Sequence, residues 1–346
     1  MARPAFRGGS AHVRVPATSA NLGPGFDALG LALDLHDDVL AVVGEDGVVV
    51  DVAGEGADEV ARNEKNLVVN AMRATFDELG GQPRGIELSC ANRIPHGRGL
   101  GSSAAAIVAG VLLARSLVLG GEQVLPMSAV LNLATRLEGH PDNVAACLLG
   151  GLTIAWTAEG QSSAPATATG RAKTANRDIV NAVRVDLDLQ VSPFIFVPPT
   201  SSSTRTARKA LPDTVSRADA VHNLARSALL ISALSGTART ASDEPQPLDD
   251  DIVAPITVPA DVLLAATDDR LHQQYRRVGM TATANLVAAL RADGIAAVMS
   301  GAGPSVLAFT RTSAEIKLAT EAVPKGWTGS PVAVDRLGAH LVPAQR

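Results

Sequence analysis

The chain is poor in aromatic residues, in cysteine and in lysine. Its 346 residues include two Trp, one Tyr and six Phe, 3% in all. That leaves little material for the stacked-ring platforms that hold single-stranded nucleic acid. A formal net charge of −5 also excludes a general nucleic-acid surface, because neutralising phosphates takes a basic face. The two cysteines, Cys90 and Cys147, stand in unrelated contexts, outside any CxxC pair and away from any His at metal spacing. They read as small buried hydrophobes. No apolar run reaches the roughly 20 residues of a membrane span. The run from Ala104 to Ala114 stops at Arg115, and that from Val144 to Ala158 contains Gly150 and Gly151. No hydrophobic segment follows Arg3 and Arg7, so no signal peptide is read and a soluble cytoplasmic protein is expected.

What is present is ordinary globular composition, 46% hydrophobic and 19% charged, which excludes wholesale disorder. The length suggests two domains of roughly 150 residues each. With so few rings, the core should be close-packed Ala, Val and Leu. Residues 1–11 read as a frayed leader. Strands are predicted at 12–16, 28–35, 39–43, 47–52, 86–90 and 151–157, with 39–43 and 47–52 forming a hairpin across Gly44-Glu45-Asp46. Further strands at 183–189, 193–197, 296–299 and 306–309 are assigned to the second half. Helices are predicted over 66–79, 102–119, 124–137, 218–235 and 281–293. Segments 158–178 and 236–259 are polar and aperiodic and read as surface insertions. Strands and helices mix without strict alternation, which favours an α+β fold in two lobes, 1–165 and 180–346.

The most informative segment is PHGRGLGSSAA, comprising Pro95, His96, Gly97, Arg98, Gly99, Leu100, Gly101, Ser102, Ser103, Ala104 and Ala105. Three glycines permit close backbone approach, and the segment runs straight into a helix whose first N–H groups suit negative oxygens. It lacks the lysine of GxxxxGK[ST], and its GxGxG spacing is not GxGxxG. Taken alone, it reads either as a triphosphate cradle or as an Ala-rich helix with a flexible lead-in.

The loop resembles the phosphate-binding motif of the GHMP small-molecule kinases. VPATSANLGPGFDALGLAL (Val15 to Leu33) and EGHPDNV (Glu138 to Val144) look like the homoserine kinase branch of that family. So do STRTARKALP (Ser203 to Pro212) and DRLHQQYR (Asp269 to Arg276), and MSGAGPSVLAF (Met299 to Phe309) resembles the third GHMP motif. The resemblance implies a two-lobed fold, with a ribosomal-protein-like N-terminal domain and a ferredoxin-like C-terminal domain. It implies ATP-dependent phosphorylation of the side-chain hydroxyl of L-homoserine, a step toward threonine. It places ATP on the glycine loop, Mg2+ on Ser103 and Glu138, and adenine near Asn66. Substrate would meet Asn21, Asp27, His140, Asn143, Arg208, Arg276 and Gly301, with Ala302 and Gly303 completing the last turn. Asp27 is matched to the substrate ammonium, and Arg208 or Arg276 to its carboxylate.

Arg276, Asn143 and Asp142 are the catalytic candidates, with Asp142 the acid nearest Glu138, although this branch is held to lack a dedicated base. The chain departs from the family's HQPYRxxLIPG pattern at HQQYRRVGMT, which leaves Arg276 and Arg277 as rival assignments. Asp27 also fits an ordinary turn cap, Arg208 a solvated helix charge beside Arg205 and Lys209, and Glu138 a helix-end carboxylate. The rivals are a GHMP kinase for another alcohol and a non-catalytic amino-acid-binding relative. A homodimer is common in the family.

Overall fold

The structure is a computed structural model, describing residues 4–158, 179–188, 190–236 and 260–343. Most of the two predicted insertions therefore lies outside the described residues. Among the described residues, eleven strands and eleven α-helices follow in chain order. The first half contains β1 (Ser10–Ala20), β2 (Leu29–Gly44), β3 (Gly47–Gly54), α1 (Leu67–Glu78), β4 (Gly85–Asn92), α2 (Ser102–Leu117), α3 (Gly121–Val124), α4 (Met127–Glu138), α5 (Asp142–Leu149) and β5 (Leu152–Ala158). After it come β6 (Ile179–Val185), β7 (Ser192–Val197), α6 (Thr204–Lys209), α7 (Arg217–Leu234), α8 (Ala260–Ala266), α9 (Gln273–Arg276), α10 (Thr281–Ala292), β8 (Ala296–Met299), β9 (Val306–Thr310), α11 (Ser313–Glu321), β10 (Thr328–Pro331) and β11 (His340–Leu341).

The larger sheet runs β11-β1-β2-β4-β3, with β5 joining β2 and β6 joining β5. Its strands alternate as a half-buried sheet requires: Val13 and Val15 are fully buried between the more accessible His12 and Arg14. α1, α2, α4 and α5 cover it. The shortage of rings is met by small side chains, with Ala104, Ala105, Ala109 and Ala114 of α2 all at zero exposure. The smaller sheet is β10-β7-β9-β8. Along β9, Val306 and Ala308 join one apolar cluster while Leu307 and Phe309 join the other. Both faces are covered, which is why this strand reads as an unbroken apolar run. No helix among the described residues is long and apolar enough to cross a membrane.

Three expectations are corrected, and one buried helix is added to them. The predicted hairpin of 39–43 and 47–52 does not form, because β4 inserts between β2 and β3, antiparallel to the first and parallel to the second. A parallel pair needs a crossover, and α1 supplies it. The described part of the leader, residues 4–11, is anchored rather than frayed, and residues 1–3 lie outside the described residues. The Arg7 amide donates to Leu117 O at 2.8 Å, the Leu119 amide to Ala5 O at 2.9 Å, and Phe6 meets Phe76 edge-on at 5.6 Å. The predicted strand at 183–189 forms earlier, as β6, and pairs with β5 in the first sheet. With β11 paired to β1, two strands beyond residue 178 complete that sheet, so sheet membership does not follow the 1–165 and 180–346 division. Finally, residues 142–149 form α5, a helix hidden from periodicity because it is buried nearly all round.

Candidate active site

The loop expected to cradle phosphate lies where β1, α2 and the turn after β8 converge. Gly101, at φ 71°, precedes α2 with no side-chain cap. The first amides of a 16-residue helix are thereby left available, at the end where its dipole favours anions. A Cβ on Gly99 would strike the carbonyl of Ser300, and one on Gly101 would strike the Thr18 hydroxyl. The glycines are thus required by contact with the second lobe and with β1 as well as by any ligand.

Gly97, Gly99, Gly101, Ser102 and Ser103 line a cavity of about 250 Å³. Leu100, Ala104 and Ala105 are buried in the core instead, and Pro95 lines neither this cavity nor its neighbour. Arg98 turns away from the cavity. Its guanidinium donates to Pro198 O at 3.0 Å, Pro199 O at 3.1 Å and His96 O at 3.3 Å, tying the loop to the end of β7. These bonds brace the loop against the segment after β7.

Ser103 Oγ donates to Glu138 Oε2 at 2.6 Å. Burial pushes the Glu138 carboxyl above its ordinary range, against the Ser103 hydrogen bond. His140 stands between two acids, with Nδ1 2.7 Å from Asp142 Oδ1 and Nε2 3.8 Å from Glu138 Oε1. Burial, the largest single effect, pushes its imidazole down. The Asp142 hydrogen bond and the two carboxylate charges outweigh it and hold His140 above its ordinary value. Asp142 also accepts from the Asn143 amide at 2.7 Å. It is occupied in orienting His140 and starting α5, which leaves it poorly placed to collect a substrate proton. Asn143 Oδ1 accepts from Thr18 Oγ1 at 2.8 Å.

The opposite wall comes from the turn after β1. Asn21, Leu22 and Asp27 all have positive φ, at 68°, 50° and 55°, a conformation that costs about 1–2 kcal/mol per non-glycine residue. The surroundings hold it there. Asn21 Oδ1 accepts from the Asp27 amide at 3.0 Å and its Nδ2 donates to Gly301 O at 2.8 Å. Asn223 and Ser227 of α7 both donate to Pro24 O. Asp27 and Arg208, expected to take opposite ends of an amino acid, take each other in a two-point ion pair.

Arg276 lies 3% exposed and donates from Nη1 to Gly301 O and to His272 Nδ1, both at 3.0 Å. Its Nε has no partner among the described residues. Burial first, and Arg208 second, lower its pKa from the ordinary arginine value. Arg277 is exposed and absent from the cavity wall, so geometry separates the rival arginines. Gly301, Ala302 and Gly303 do form a tight turn on the cavity.

A second cavity, about 350 Å³ and largely apolar, shares Gly97, Ser102 and Ser103 with the first. Val39, Val52, Val60, Val68 and Cys90 contribute to it, as do Asn66 and His96. Asn66 is at the expected wall, but its side chain is largely committed. Oδ1 accepts from the Val68 and Val69 amides as the cap of α1, and Nδ2 donates to Ala61 O at 2.9 Å. Burial pushes the Cys90 thiol up to about 12, and both cysteines are buried and free, as read from sequence.

Several site residues were not singled out from sequence: Thr18, Phe26, His272 and Ser300. All but Thr18 lie in loops or short turns, and all four lie inside quoted motifs. Spacing shows that such motifs matter without showing which side chain meets which.

Comparison with known proteins agrees with this geometry. The pattern described as GHMP kinases N terminal domain matches residues 66–151, and GHMP kinases C terminal matches 260–329. The chain is 46% identical to the homoserine kinase of Streptomyces avermitilis over 343 residues, covering 99% of each protein. It is 44% identical to that of Clavibacter michiganensis, covering 95% of this chain and 93% of the relative. The crystal structure of homoserine kinase from Cytophaga hutchinsonii shares the fold at TM-score 0.72 and 24% identity, covering 96% of this chain and 97% of that one. Mevalonate diphosphate decarboxylase from Enterococcus faecalis shares it at TM-score 0.59 and 15% identity, covering 96% and 98%. The α+β two-lobed architecture is that of the GHMP kinases, and the chain belongs to the homoserine kinase family within them.

Proposed function

We propose that this protein transfers the γ-phosphoryl group of ATP to the side-chain hydroxyl of L-homoserine, giving O-phospho-L-homoserine on the route to threonine. The observation that carries this reading is one cavity in which a free helix N-terminus faces an opposed carboxylate and guanidinium, Asp27 and Arg208. The first suits phosphate and the second suits a zwitterion.

ATP would place its phosphates on the loop from Gly97 to Ser103 and its base in the adjoining apolar cavity beside Asn66 and His96. Ser103 and Glu138 offer hard oxygen donors in contact with one another, a donor set that fits Mg2+. Bound there, the ion would neutralise phosphate charge. Asp27 would take the substrate ammonium and Arg208 its carboxylate, while Asn21, His140 and Asn143 bound the hydroxyl end. The hydroxyl oxygen bonds to the γ-phosphorus as the bond to the β-phosphate oxygen breaks. Such a transition state is loose and asks mainly for positioning and charge stabilisation. Arg276, buried and with an unpartnered Nε–H, is suited to that work. No dedicated base is invoked, and the hydroxyl proton leaves to phosphoryl oxygen or water. Cytoplasmic location and a homodimer belong to the same reading.

An ADP-release assay with Mg2+ and, in turn, L-homoserine, mevalonate, shikimate and galactose tests it. Turnover with homoserine is expected. Turnover with another alcohol alone would reassign the substrate, and silence with all four would leave a non-catalytic amino-acid binder.

A further inference from the structure

Phe26 is half-buried in the strained turn between Asn21 and Asp27, and the phosphoryl-transfer chemistry above makes no use of it. Its surroundings are unusual. The Arg208 guanidinium carbon lies 5.7 Å from its ring centroid and that of Arg276 lies 5.6 Å from it. The His272 ring stacks on it at 5.2 Å, with 30° between planes. One aromatic ring therefore contacts two arginines and an imidazole.

Two guanidinium groups this close to one ring repel each other. Asp27 pairs directly with Arg208 alone, and reaches Arg276 only through space, as Asp269 and Asp142 do. Arg276 makes no ion pair with a carboxylate among the described residues, and its hydrogen bonds go to a carbonyl and to His272. An aromatic face offers what a second carboxylate would otherwise supply: a negative quadrupole face that attracts a cation without neutralising its charge. Guanidinium is planar and weakly hydrated, which suits this contact. The ring itself is well held. His272 is fully buried, with Nε2 2.8 Å from Gly23 O and Nδ1 accepting from Arg276. Phe26 sits between Gly25 and Asp27, so its backbone belongs to the same turn that presents Asp27.

We propose that Phe26 is a positioning residue that seats Arg208 and Arg276 together at the substrate cavity, keeping both cations available to an anionic group. The inference rests on the amino-acid kinase reading given above. An acidic residue in this place would neutralise one arginine and compete with the substrate carboxylate. A purely aliphatic one would leave the two charges to splay apart. The platform therefore tunes affinity for the amino acid through Arg208 and turnover through Arg276, and leaves ATP binding on the other side of the cavity unaffected.

The test replaces Phe26 in the full-length chain with phenylalanines carrying one, two and three ring fluorines, which weaken the quadrupole while nearly preserving shape. Phe26→Tyr and Phe26→Leu accompany the series. KM for L-homoserine should rise stepwise with fluorination and reach about tenfold or more in Phe26→Leu. KM for ATP should stay within twofold, and Phe26→Tyr should restore near-normal values. A flat fluorination series, or equal damage to both KM values, would overturn the platform. Wild-type turnover in the same assay tests the substrate reading separately. If the wild type is inactive, a double-mutant cycle of Phe26→Leu with Arg208→Ala on chemical unfolding still decides the inference. Measurable coupling supports it and additive effects overturn it.

Discussion

Arg208 grips Asp27 with two parallel hydrogen bonds, Nη1 to Oδ2 at 3.1 Å and Nη2 to Oδ1 at 2.6 Å. The residues are 181 positions apart, so the pair forms only when α6 folds over the turn after β1. Its partners are more than a third exposed, at 38% and 35%, so water and salt screen the attraction and it adds little to stability. In the function proposed above its value is in recognition. The pair is one that a zwitterion would exchange with, ammonium for guanidinium and carboxylate for carboxylate.

Asp27→Asn keeps the size of the side chain and removes its charge. KM for homoserine should rise by roughly ten- to a hundredfold, since truncating one member of a recognition pair strands the other. The thermal midpoint should move by no more than a couple of degrees, as expected for a screened surface pair. Steady-state kinetics beside a melting curve checks both, and an unchanged KM would remove Asp27 from the substrate site.

Arg276 and Arg277 are neighbours in sequence with opposite fates. Arg276→Ala should lower kcat by roughly 10²–10³-fold, the scale for losing one donor aimed at developing charge. Arg277→Ala, on an exposed side chain outside the cavity wall, should leave kcat within twofold. Circular dichroism on both variants confirms that the fold is retained. Equal loss in the two variants would mean that the buried arginine has no special role.

His272 supplies a pH dependence with a definite sign. Burial, and then the charge of Arg276, hold its pKa below the ordinary 6.5, against the pull of Asp269. The unfolded chain therefore takes up this proton more readily than the folded one. The stability contributed by the neutral ring is complete above pH 6.5 and drains away as pH falls from there through the lower folded value. His140 acts in the opposite sense. Its raised pKa contributes stability fully present below pH 6.5 and lost as pH rises through the folded value. His272→Gln, which retains a donor for Gly23 O, should flatten the wild-type decline in thermal midpoint between pH 6.5 and 5. His140→Gln should leave that decline in place. Parallel melting curves for wild type and the His272 variant would sink the assignment.

Much of the site was legible because its pieces are local. Glycines at 97, 99 and 101 leading into an Ala-rich helix, or EGHPDNV after a helix end, place particular groups within a few residues of each other. Local rules of capping and backbone conformation then fix their shape. Arg98 shows where this fails. It occupies the middle of the phosphate loop, and its position in sequence suggests a phosphate contact. The carbonyls of Pro198 and Pro199, a hundred residues away, take its guanidinium, with the Glu55 carboxylate 3.8 Å from it. Asn66 behaves similarly, standing at the predicted wall with its polar atoms largely taken by α1.

The sequence by itself determined that the chain is globular and acidic, that its core is built of small aliphatic side chains, and which motifs border the site. These follow from composition, periodicity and short-range spacing, which act along the chain. Tertiary structure alone decided that β4 separates β2 from β3, that β6 and β11 complete the first sheet, that Asp27 holds Arg208, and that Phe26 lies beside two arginines. Strand order and ion pairing across nearly two hundred residues depend on which surfaces meet after the chain has collapsed. No pattern of neighbours in sequence encodes that.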